Sequence, residues 1–306
     1  MDTTRSSDDV LLARELVAKG FGYAELSRLV RRGELEHLRR GAYAPHSTDG
    51  LNDVDRHRRL VRATMAMLAR GVLSHRSAAV LHGLPLPRGG LELVQVTQPE
   101  AASGRRRGHV HRFASPLDPA EVSVIDGVPV TDLARTVVDL GRTLRLADAV
   151  AAADAALRQG LDPVTLGTAL AGARGRPGVA DARRVVAFAD GRSESAGESH
   201  SRVLLHRIGL APSSLQHEVH DDLGRLVGRS DFVWEAERTL GEFDGRVKYG
   251  RLLGPGQPAG DVLWAEKQRR TRCVTWAGSR ALDLADLARP GVLGDRIRRA
   301  FARSAR

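Results

Sequence analysis

The 306-residue sequence has one cysteine, three lysines and few aromatic residues, and it has no long hydrophobic run. Its single cysteine, Cys273, excludes a disulfide within the chain. Aromatic residues amount to 4 % of the sequence, so its cores must rest on Leu, Val and Ala. No apolar run approaches the ~18 residues that a membrane-spanning helix needs, and the N-terminal residues lack the apolar segment of a signal peptide. We therefore expect a cytoplasmic protein without a membrane partner.

The charge of the sequence is strongly positive, with 47 Lys and Arg against 37 Asp and Glu and a net charge of +10. Only three of the basic residues are lysines, namely Lys19, Lys248 and Lys267. A basic protein attracts polyanionic partners such as DNA. An excess of Arg and Ala is also typical of a GC-rich genome, which explains part of the charge without a nucleic-acid partner.

Residues 1–50 have the pattern of a winged helix-turn-helix. Two amphipathic segments, Leu11–Lys19 and Tyr23–Arg32, predict helices separated by a glycine-containing turn. Two short strands are predicted next, over Leu35–Leu38 and Gly41–Ala44, on either side of a basic turn. In a winged helix-turn-helix the second helix enters the major groove of DNA, and the hairpin contacts the DNA backbone.

The basic side chains of the second helix and of the hairpin turn are the candidate nucleic-acid-binding residues. They are Arg28, Arg31, Arg32, Arg39 and Arg40. Residues 1–62 nevertheless carry 12 basic and 10 acidic side chains, which gives a net charge of only +2. A small helical packing module with solvated arginines therefore remains the alternative for this segment.

Residues 51–160 are predicted to form one α+β domain. A long helix over residues 53–69 is followed by strand-like runs, and two helices over Thr131–Leu140 and Leu144–Leu157 complete the domain. The basic segment Arg105–Arg107 suits either a phosphate contact or an exposed hairpin tip. The histidines of this region match no zinc-binding spacing, and no cysteine supports them.

The last domain, residues 194–306, follows a helical linker that is rich in Gly and Ala, residues 161–193. It carries the carboxylates of a candidate metal site, which are Glu198, Asp231, Glu242 and Asp244. Asp231 lies in one predicted strand of a hairpin, and Glu242 and Asp244 lie on one face of the other. Like charges on neighbouring strands repel, and Mg²⁺ or Mn²⁺ with oxygen ligands would offset that repulsion.

Glu198 also has a purely structural alternative. Ser195 and Glu198 have the spacing of a capping box, in which the carboxylate binds the start of its own helix. As a metal ligand, Glu198 would instead help an ion to lower the pKa of a bound water and to brace a phosphate. Both roles remain open for this residue.

The arrangement Asp231…Glu242-x-Asp244, preceded by a helix that carries Glu198, resembles the metal-binding core of the PD-(D/E)XK nuclease superfamily. The resemblance is closer still to its Vsr-like (very-short-patch-repair-like) branch. It implies an α/β restriction-endonuclease-like fold for residues 194–306, Mg²⁺ or Mn²⁺ as the cofactor, and hydrolysis of a DNA phosphodiester.

The N-terminal part resembles the AbiEi-type antitoxins of type IV toxin–antitoxin systems. Three segments carry this resemblance: Arg31-Arg32-Gly-Glu-Leu, Leu38-Arg-Arg-Gly-Ala-Tyr43 and Ser74-His75-Arg-Ser-Ala-Ala. The resemblance implies a DNA-binding regulator and a cognate toxin as a protein partner. The two resemblances together cover about residues 1–100 and 190–270.

The sequence departs from the nuclease pattern at two places. The superfamily has Glu-x-Lys where this chain has Glu242-x-Asp244, so Lys248 or Lys267 would have to supply the lysine. Residues 270–280 replace an expected helix end and strand, and they fit a compensated frameshift that the DNA sequence of the gene would reveal. The catalytic set implied by the resemblance is Asp231, Glu242, Asp244 and Lys248.

Three functions therefore stand side by side for a multidomain α+β protein. The first is a DNA-binding, antitoxin-like regulator whose last domain keeps a nuclease fold. The second is an active, metal-dependent DNA endonuclease that its N-terminal module targets. The third is a module that neutralises a toxin without contacting DNA. The oligomeric state does not follow from the sequence.

Overall fold

The computed structural model of the protein describes residues 10–46, 51–68, 70–220, 223–244, 280–283 and 289–304. Side chains are described throughout these ranges except at Val227, at Asp244 and over residues 280–283. The described part is mixed α+β with three sheets, which confirms the predicted α+β class. None of its helices is long and apolar enough to span a membrane.

The chain divides into two compact units. The N-terminal unit consists of Met1–Thr143 and Pro163–Ala182, and the C-terminal unit consists of Leu144–Asp162 and Arg183–Arg306. Each unit is therefore assembled from two stretches of chain. The sequence-based domain ranges rest on composition and local pattern, and they remain predictions: 1–50, 51–160, 161–193 and 194–306.

The first part of the N-terminal unit is a helix-turn-helix followed by a hairpin. Its elements are β1 (Leu11–Leu12), α1 (Ala13–Ala18), α2 (Tyr23–Arg31), β2 (Leu35–Arg39) and β3 (Ala42–Pro45). Strands β1 and β2 both pair antiparallel with β3. The first helix begins at Ala13 rather than at the predicted Leu11, because the two preceding residues are extended and pair with β3. The order of helices and strands agrees with the sequence, and its assignment as a winged helix stays a prediction.

Small and aliphatic side chains form the core of this part. Leu12 and Ala42 are buried together with Ala63, which comes from helix α3 (Asp53–Met65), and Leu26 of α2 is fully buried. Gly33 follows α2 with a φ of +71°, the left-handed conformation that a glycine adopts without strain. It thus terminates the helix and lets the chain turn into β2.

A six-stranded mixed sheet forms the second part of the N-terminal unit. Its strands are β4 (Val72–Leu73), β5 (Val94–Gln98), β6 (Arg105–Arg107), β7 (Val110–Ala114), β8 (Val122–Ile125) and β9 (Val128–Thr131). The strand order is β6-β7-β5-β4-β9-β8, with parallel pairing of β5 with β7 and of β4 with β9. Helices α3 and α4 (His75–Leu81) pack on β5 and on each other, and α5 (Leu133–Thr143) packs on α4. Strand β6 is therefore an edge strand of the sheet.

The helices after α5 alternate between the units. Helix α6 (Leu146–Arg158) belongs to the C-terminal unit, whereas α7 (Pro163–Gly172) packs on α5. Helix α8 (Val179–Phe188) leads into α9 (Ala196–Arg207), which packs against α6. A buried ion pair joins α6 and α9, since Arg202 of α9 donates to Asp154 of α6 across 2.9 Å.

A four-stranded sheet completes the C-terminal unit. Its strands are β10 (Ser214–His220), β11 (Leu226–Trp234), β12 (Thr239–Asp244) and β13 (Arg280–Asp283), in that order, and helix α10 (Pro290–Ser304) follows. The bounds of β11 and β12 are those predicted from the sequence. Strand β13 pairs parallel with β12, and the other neighbours are antiparallel. Whether this α/β arrangement is a restriction-endonuclease-like domain stays a prediction.

Candidate functional site

Helix α2 presents its arginines to solvent. Leu26 points into the core, and the helical repeat of 3.6 residues therefore turns Arg28 and Arg31 outward, where both are exposed. Arg32, directly after the helix, is exposed as well and lies 3.8 Å from Glu34. Such an exposed ion pair contributes little to stability, so Arg32 remains available to another anion.

Two residues that the sequence reasoning did not select lie on the same exposed side of α2. Tyr23, the first residue of the helix, is 67 % exposed. Ser27 is exposed one turn later, and its hydroxyl donates to the backbone oxygen of Tyr23 across 2.9 Å. Because Tyr23, Ser27 and Arg31 are four residues apart, they share one face. That spacing was the sequence signal that could have identified them.

The two arginines of the hairpin turn differ in accessibility. Arg40 is exposed, whereas Arg39 is half-buried at the end of β2. Burial lowers the pKa of Arg39, and its Nε atom has no hydrogen-bond partner within the described ranges. Of these two candidates, Arg40 is therefore the one that a polyanion can reach directly.

The carboxylate of Glu198 is buried at the start of α9. Its Oε1 accepts a hydrogen bond from the Ser195 hydroxyl at 2.7 Å, and its Oε2 accepts one from the backbone N–H of Glu194 at 2.8 Å. The Ser195 oxygen in turn accepts from the backbone N–H of Glu198 at 3.2 Å. Glu198 thus holds the N-terminus of its own helix through the Ser195 hydroxyl and the Glu194 N–H, whereas a capping box uses the Ser195 N–H.

Asp231 of β11 lies beside Glu198 and shares a partner with it. The Nε2 group of Gln216 donates to Oε2 of Glu198 at 3.0 Å and to Oδ1 of Asp231 at 3.3 Å. Burial, together with the negative charges of Glu198 and Glu242, raises the pKa of Asp231 to about 6. Hydrogen bonds from the Phe243 backbone N–H, at 2.8 Å, and from Gln216 act in the opposite direction.

The start of α9 lies close to β12, the strand that carries Glu242. A Cβ atom at Gly197 would overlap the aromatic ring of Phe243, so only glycine allows this approach. The structure therefore brings Glu198, Asp231 and Glu242 into one neighbourhood. Among the described side chains, no group of three His, Cys, Asp or Glu residues is arranged to hold a metal ion.

The remaining residues of the candidate metal and catalytic set lie outside the described side chains. The side chain of Asp244 lies outside the described part, and so do Lys248, Lys267 and residues 270–279. The roles of these residues as ligands, as the catalytic lysine or as the product of a frameshift therefore remain hypotheses.

Gln216 is the residue of this neighbourhood that the sequence reasoning missed. It has a φ of +53° within β10, and it is skipped in the pairing of β10 with β11. Its Oε1 atom is buried and has no hydrogen-bond partner in the part of the chain described here. A glutamine within the mostly polar strand β10 was a weak signal, because the irregular backbone that aims its side chain is not visible in the sequence.

Three comparisons relate the chain to known proteins. Residues 2–46 match the family described as "Transcriptional regulator, AbiEi antitoxin". Over 246 residues the chain is 30 % identical to "Uncharacterized protein Rv2248" of Mycobacterium tuberculosis (strain ATCC 25618 / H37Rv), a match that covers 80 % of this chain and 85 % of the relative. "Uncharacterized protein MT2308" of strain CDC 1551 / Oshkosh matches with the same figures.

One solved structure shows a distant likeness. It is the crystal structure of the RV2827C protein from Mycobacterium tuberculosis, with a TM-score of 0.41 and 16 % sequence identity. The superposition covers 69 % of this chain and 83 % of that chain.

Proposed function

This chain belongs to the family of the Mycobacterium tuberculosis proteins Rv2248 and MT2308, and we propose that it is a DNA-binding regulator of the antitoxin type. The observation that carries the proposal is the exposed polar surface of α2, on which Arg28, Arg31 and Tyr23 are all accessible to solvent. The description of the family that residues 2–46 match, a transcriptional regulator and antitoxin, supports the same function.

In this proposal α2 lies in the major groove of duplex DNA. The N-terminal residues of a recognition helix contact base edges, and Tyr23 and Ser27 occupy those positions in α2. Arg28, Arg31 and Arg32 supply charge toward phosphates or guanine edges. Phosphate contacts hold the protein in place, and base contacts select the sequence.

The hairpin of β2 and β3 is the second contact of this module. Arg40 stands exposed at its turn and is suited to the DNA backbone. Arg39 is half-buried and shapes the turn more than it reaches outward. We expect Arg40 to contribute one phosphate contact to affinity and nothing to sequence preference.

A toxin protein is the second partner in this proposal. The antitoxin description of the matched family supports such a partner, and DNA binding would then repress expression of the pair. The rival is a protein that neutralises a toxin and never contacts DNA, which the low net charge of the N-terminal residues favours. DNA binding by the purified protein separates the two.

Fluorescence anisotropy with labelled duplex DNA tests the proposal. The DNA is the segment that precedes the protein's own gene, next to a scrambled duplex of the same composition. Three proteins are compared: the wild type, the variant R28Q/R31Q/R32Q, and the charge-matched control R88Q/R174Q/R183Q, whose arginines are exposed. We expect the α2 variant to lose at least about tenfold in affinity, because each phosphate or base contact contributes roughly 1 kcal/mol or more.

The outcomes separate the models. The control variant is expected to bind within about twofold of the wild type, since none of its arginines belongs to α2 or to the hairpin of β2 and β3. Equal losses in both variants would mean that binding follows net charge alone, and the recognition role of α2 would be wrong. Absence of DNA binding in the wild type, together with binding of a toxin, would leave the rival function.

We propose metal-dependent cleavage of DNA as a second candidate function of the C-terminal unit. The observation that favours it is the shared environment of Glu198, Asp231 and Glu242, in which neighbouring negative charges act on the pKa of Asp231. Mg²⁺ or Mn²⁺ bound by these residues with Asp244 would acidify a water and brace the scissile phosphate. Lys248 is the candidate for the catalytic lysine.

Incubation of supercoiled plasmid with protein and Mn²⁺ tests this second candidate. We expect nicking by the wild type, its loss in D231A and E242A, and its retention in E235A, whose side chain is exposed. A separate calorimetric titration with Mn²⁺ measures binding without turnover. Because the ion displaces the proton of Asp231, binding should release a proton at pH 5.5 and far less at pH 7.5. No heat of binding at either pH would refute a metal site.

A further inference from the structure

The edge strand β6 carries an arginine at each of its positions. Residues 94–114 contain four arginines, namely Arg105, Arg106, Arg107 and Arg112, and one acidic residue, Glu100. Glu100 is paired with Arg70 at 2.6 Å and so is engaged elsewhere. The side chains of the β6 arginines are all exposed. This hairpin is therefore an exposed surface of concentrated positive charge.

The pairing register distributes these charges over both faces of the sheet edge. Arg105 lies opposite Arg112, and Arg107 lies opposite Val110, so these residues share one face. Arg106 lies opposite His111 on the other face. Burial lowers the pKa of His111, and the charge of Arg106 lowers it further. A polyanion that follows the edge would meet guanidinium groups from both sides.

No acidic side chain in the described ranges neutralises this strand. The ion pairs of the N-terminal unit involve other arginines, and none of the three β6 arginines takes part in one of them. Structural arginines in the same unit behave differently, since Arg135 is buried and bound to two carboxylates. The β6 arginines thus hold unused charge and hydrogen-bonding capacity at the surface.

The spacing of β6 suits the phosphates of a nucleic-acid strand. Residues in a strand advance ~3.4 Å each, so Arg105 and Arg107 stand about 7 Å apart along β6. One DNA strand carries a phosphate every ~3.4 Å along the helix axis, so these two side chains match the advance of two nucleotides. The planar guanidinium group pairs with phosphate oxygens through two parallel hydrogen bonds.

The hairpin of β6 and β7 adjoins the N-terminal hairpin within the same unit. His109, in the turn between β6 and β7, lines the same cleft of about 370 Å³ as His37 of β2. Three carboxylates line this cleft: Glu36 lies 3.5 Å from Arg59, Asp53 lies 3.0 Å from Arg56, and the exposed Glu92 accepts a hydrogen bond from the backbone N–H of Gly90 at 3.2 Å. A duplex that contacts the N-terminal hairpin and continues toward β6 would therefore pass two arginine-paired carboxylates and Glu92.

We propose that the β6 arginines form a second, sequence-independent DNA contact that holds the phosphate backbone beside the site of α2. This proposal rests on DNA being the partner of the N-terminal unit, and it extends the contact beyond residues 10–46. The β6 contact contributes affinity and salt dependence, whereas α2 contributes sequence preference.

Salt-dependent anisotropy titrations test the proposal on the full chain. The variants are R105Q/R106Q/R107Q, the charge-retaining R105K/R106K/R107K, and the control R88Q/R174Q/R183Q. We expect the glutamine variant to lose about tenfold in affinity for every duplex at 0.1 M salt. The slope of log K against log salt should fall in magnitude by about 2 to 3, since each lost phosphate contact removes roughly 0.9. The lysine variant and the control should keep the wild-type slope.

Two further readouts keep the proposal separate from the function of α2. The ratio of affinities for the upstream and scrambled duplexes should stay within about twofold of the wild type in the glutamine variant and collapse in R28Q/R31Q/R32Q. Binding that is lost in the β6 variant and retained in the α2 variant would refute the role of α2 and keep this proposal. Binding that is lost in the α2 variant alone, with the slope of the β6 variant unchanged, would refute this proposal and keep the role of α2.

The β6 arginines have an alternative role, which is to keep the edge strand from pairing with a strand of another molecule. Charged side chains on an edge strand prevent pairing with another sheet, and that role requires no ligand. Sedimentation of the glutamine variant, with circular dichroism as the check on folding, measures it. New self-association together with an unchanged salt slope would assign the arginines to protection of the edge and overturn the DNA contact.

Discussion

Arg135 donates through its Nε atom to Oδ2 of Asp139 across 3.0 Å, although neither side chain is exposed to solvent. A second guanidinium, that of Arg142, donates to Oδ1 of the same carboxylate at 2.9 Å. Arg135 also donates to Glu121 at 2.9 Å. The two carboxylates and the two guanidinium groups thus neutralise each other's charge in the interior of the N-terminal unit. Such a network tolerates the loss of a member poorly, because the remaining charge stays buried.

The substitution Asp139→Asn should therefore destabilise the N-terminal unit by about 3 kcal/mol or more. It leaves the charges of Arg135 and Arg142 without the carboxylate that they share. Urea denaturation followed by circular dichroism measures the loss. The matched control is Asp126→Asn, at an exposed turn with a positive φ that Asn accepts. A loss below about 0.5 kcal/mol for Asp139→Asn would show that water reaches the network.

His75 should make the stability of the same unit depend on pH. It is buried and stacked on Phe113 with ring centroids 3.6 Å apart, and burial lowers its pKa to about 4. In the unfolded chain the pKa is about 6.5, so the unfolded state binds the proton more readily between these values. The contribution of His75 is therefore fully present above pH 6.5 and lost as the pH falls toward 4.

The expected size of this effect is about 3 kcal/mol between pH 7 and pH 4, from a shift of roughly 2.5 pKa units. Asparagine at this position accepts the φ of +51° that His75 adopts. His75→Asn should lower stability at pH 7 and flatten the dependence on pH, whereas the exposed His46→Asn should change neither. An unchanged pH dependence in His75→Asn would show that the proton goes to another group.

Asp231 should act in the opposite direction in the C-terminal unit. Its pKa is raised to about 6, above the unfolded value of about 3.9, so the folded state holds the proton more tightly between these values. Stability should then fall as the pH rises from about 4 to 6, by about 2 kcal/mol after allowance for partial exposure.

Asp231→Asn removes the charge that causes this loss. Measured by urea unfolding, the variant should gain about 2 kcal/mol relative to the wild type between pH 4.5 and pH 7.5. The exposed Glu235→Gln serves as the control and should show no such trend. A variant that loses stability equally at both pH values would show that Asp231 is needed as a hydrogen-bond acceptor and that its charge carries no penalty.

The sequence predicts the elements of this protein better than the environment of its polar residues. The bounds of β11 and β12 follow from apolar runs between turn residues, and Gly33 marks the end of α2 because its φ is positive. Helix α1 starts later than predicted because its first residues pair with β3. That pairing is a long-range contact, which local periodicity does not register.

The candidate sites show the same limit. The exposure of Arg28 and Arg31 follows from the helical repeat, whereas the partial burial of Arg39 depends on how the hairpin packs. The link from Gln216 to Glu198 and Asp231 requires an irregular strand with a positive φ, and no local pattern encodes it. Sequence reasoning therefore finds residues on regular elements and misses those that irregular backbone brings together.

Methylation protection of DNA by dimethyl sulfate tests the central claim, recognition by α2, most directly. The reagent attacks the N7 atom of guanine, which lies in the major groove. With the segment upstream of the gene at saturating protein, we predict a short run of guanines that the wild type and R88Q/R174Q/R183Q protect. R28Q/R31Q/R32Q should leave these guanines reactive even when enough protein is added to bind the DNA. Binding by the wild type without guanine protection, or the same protection by the α2 variant, would contradict the claim.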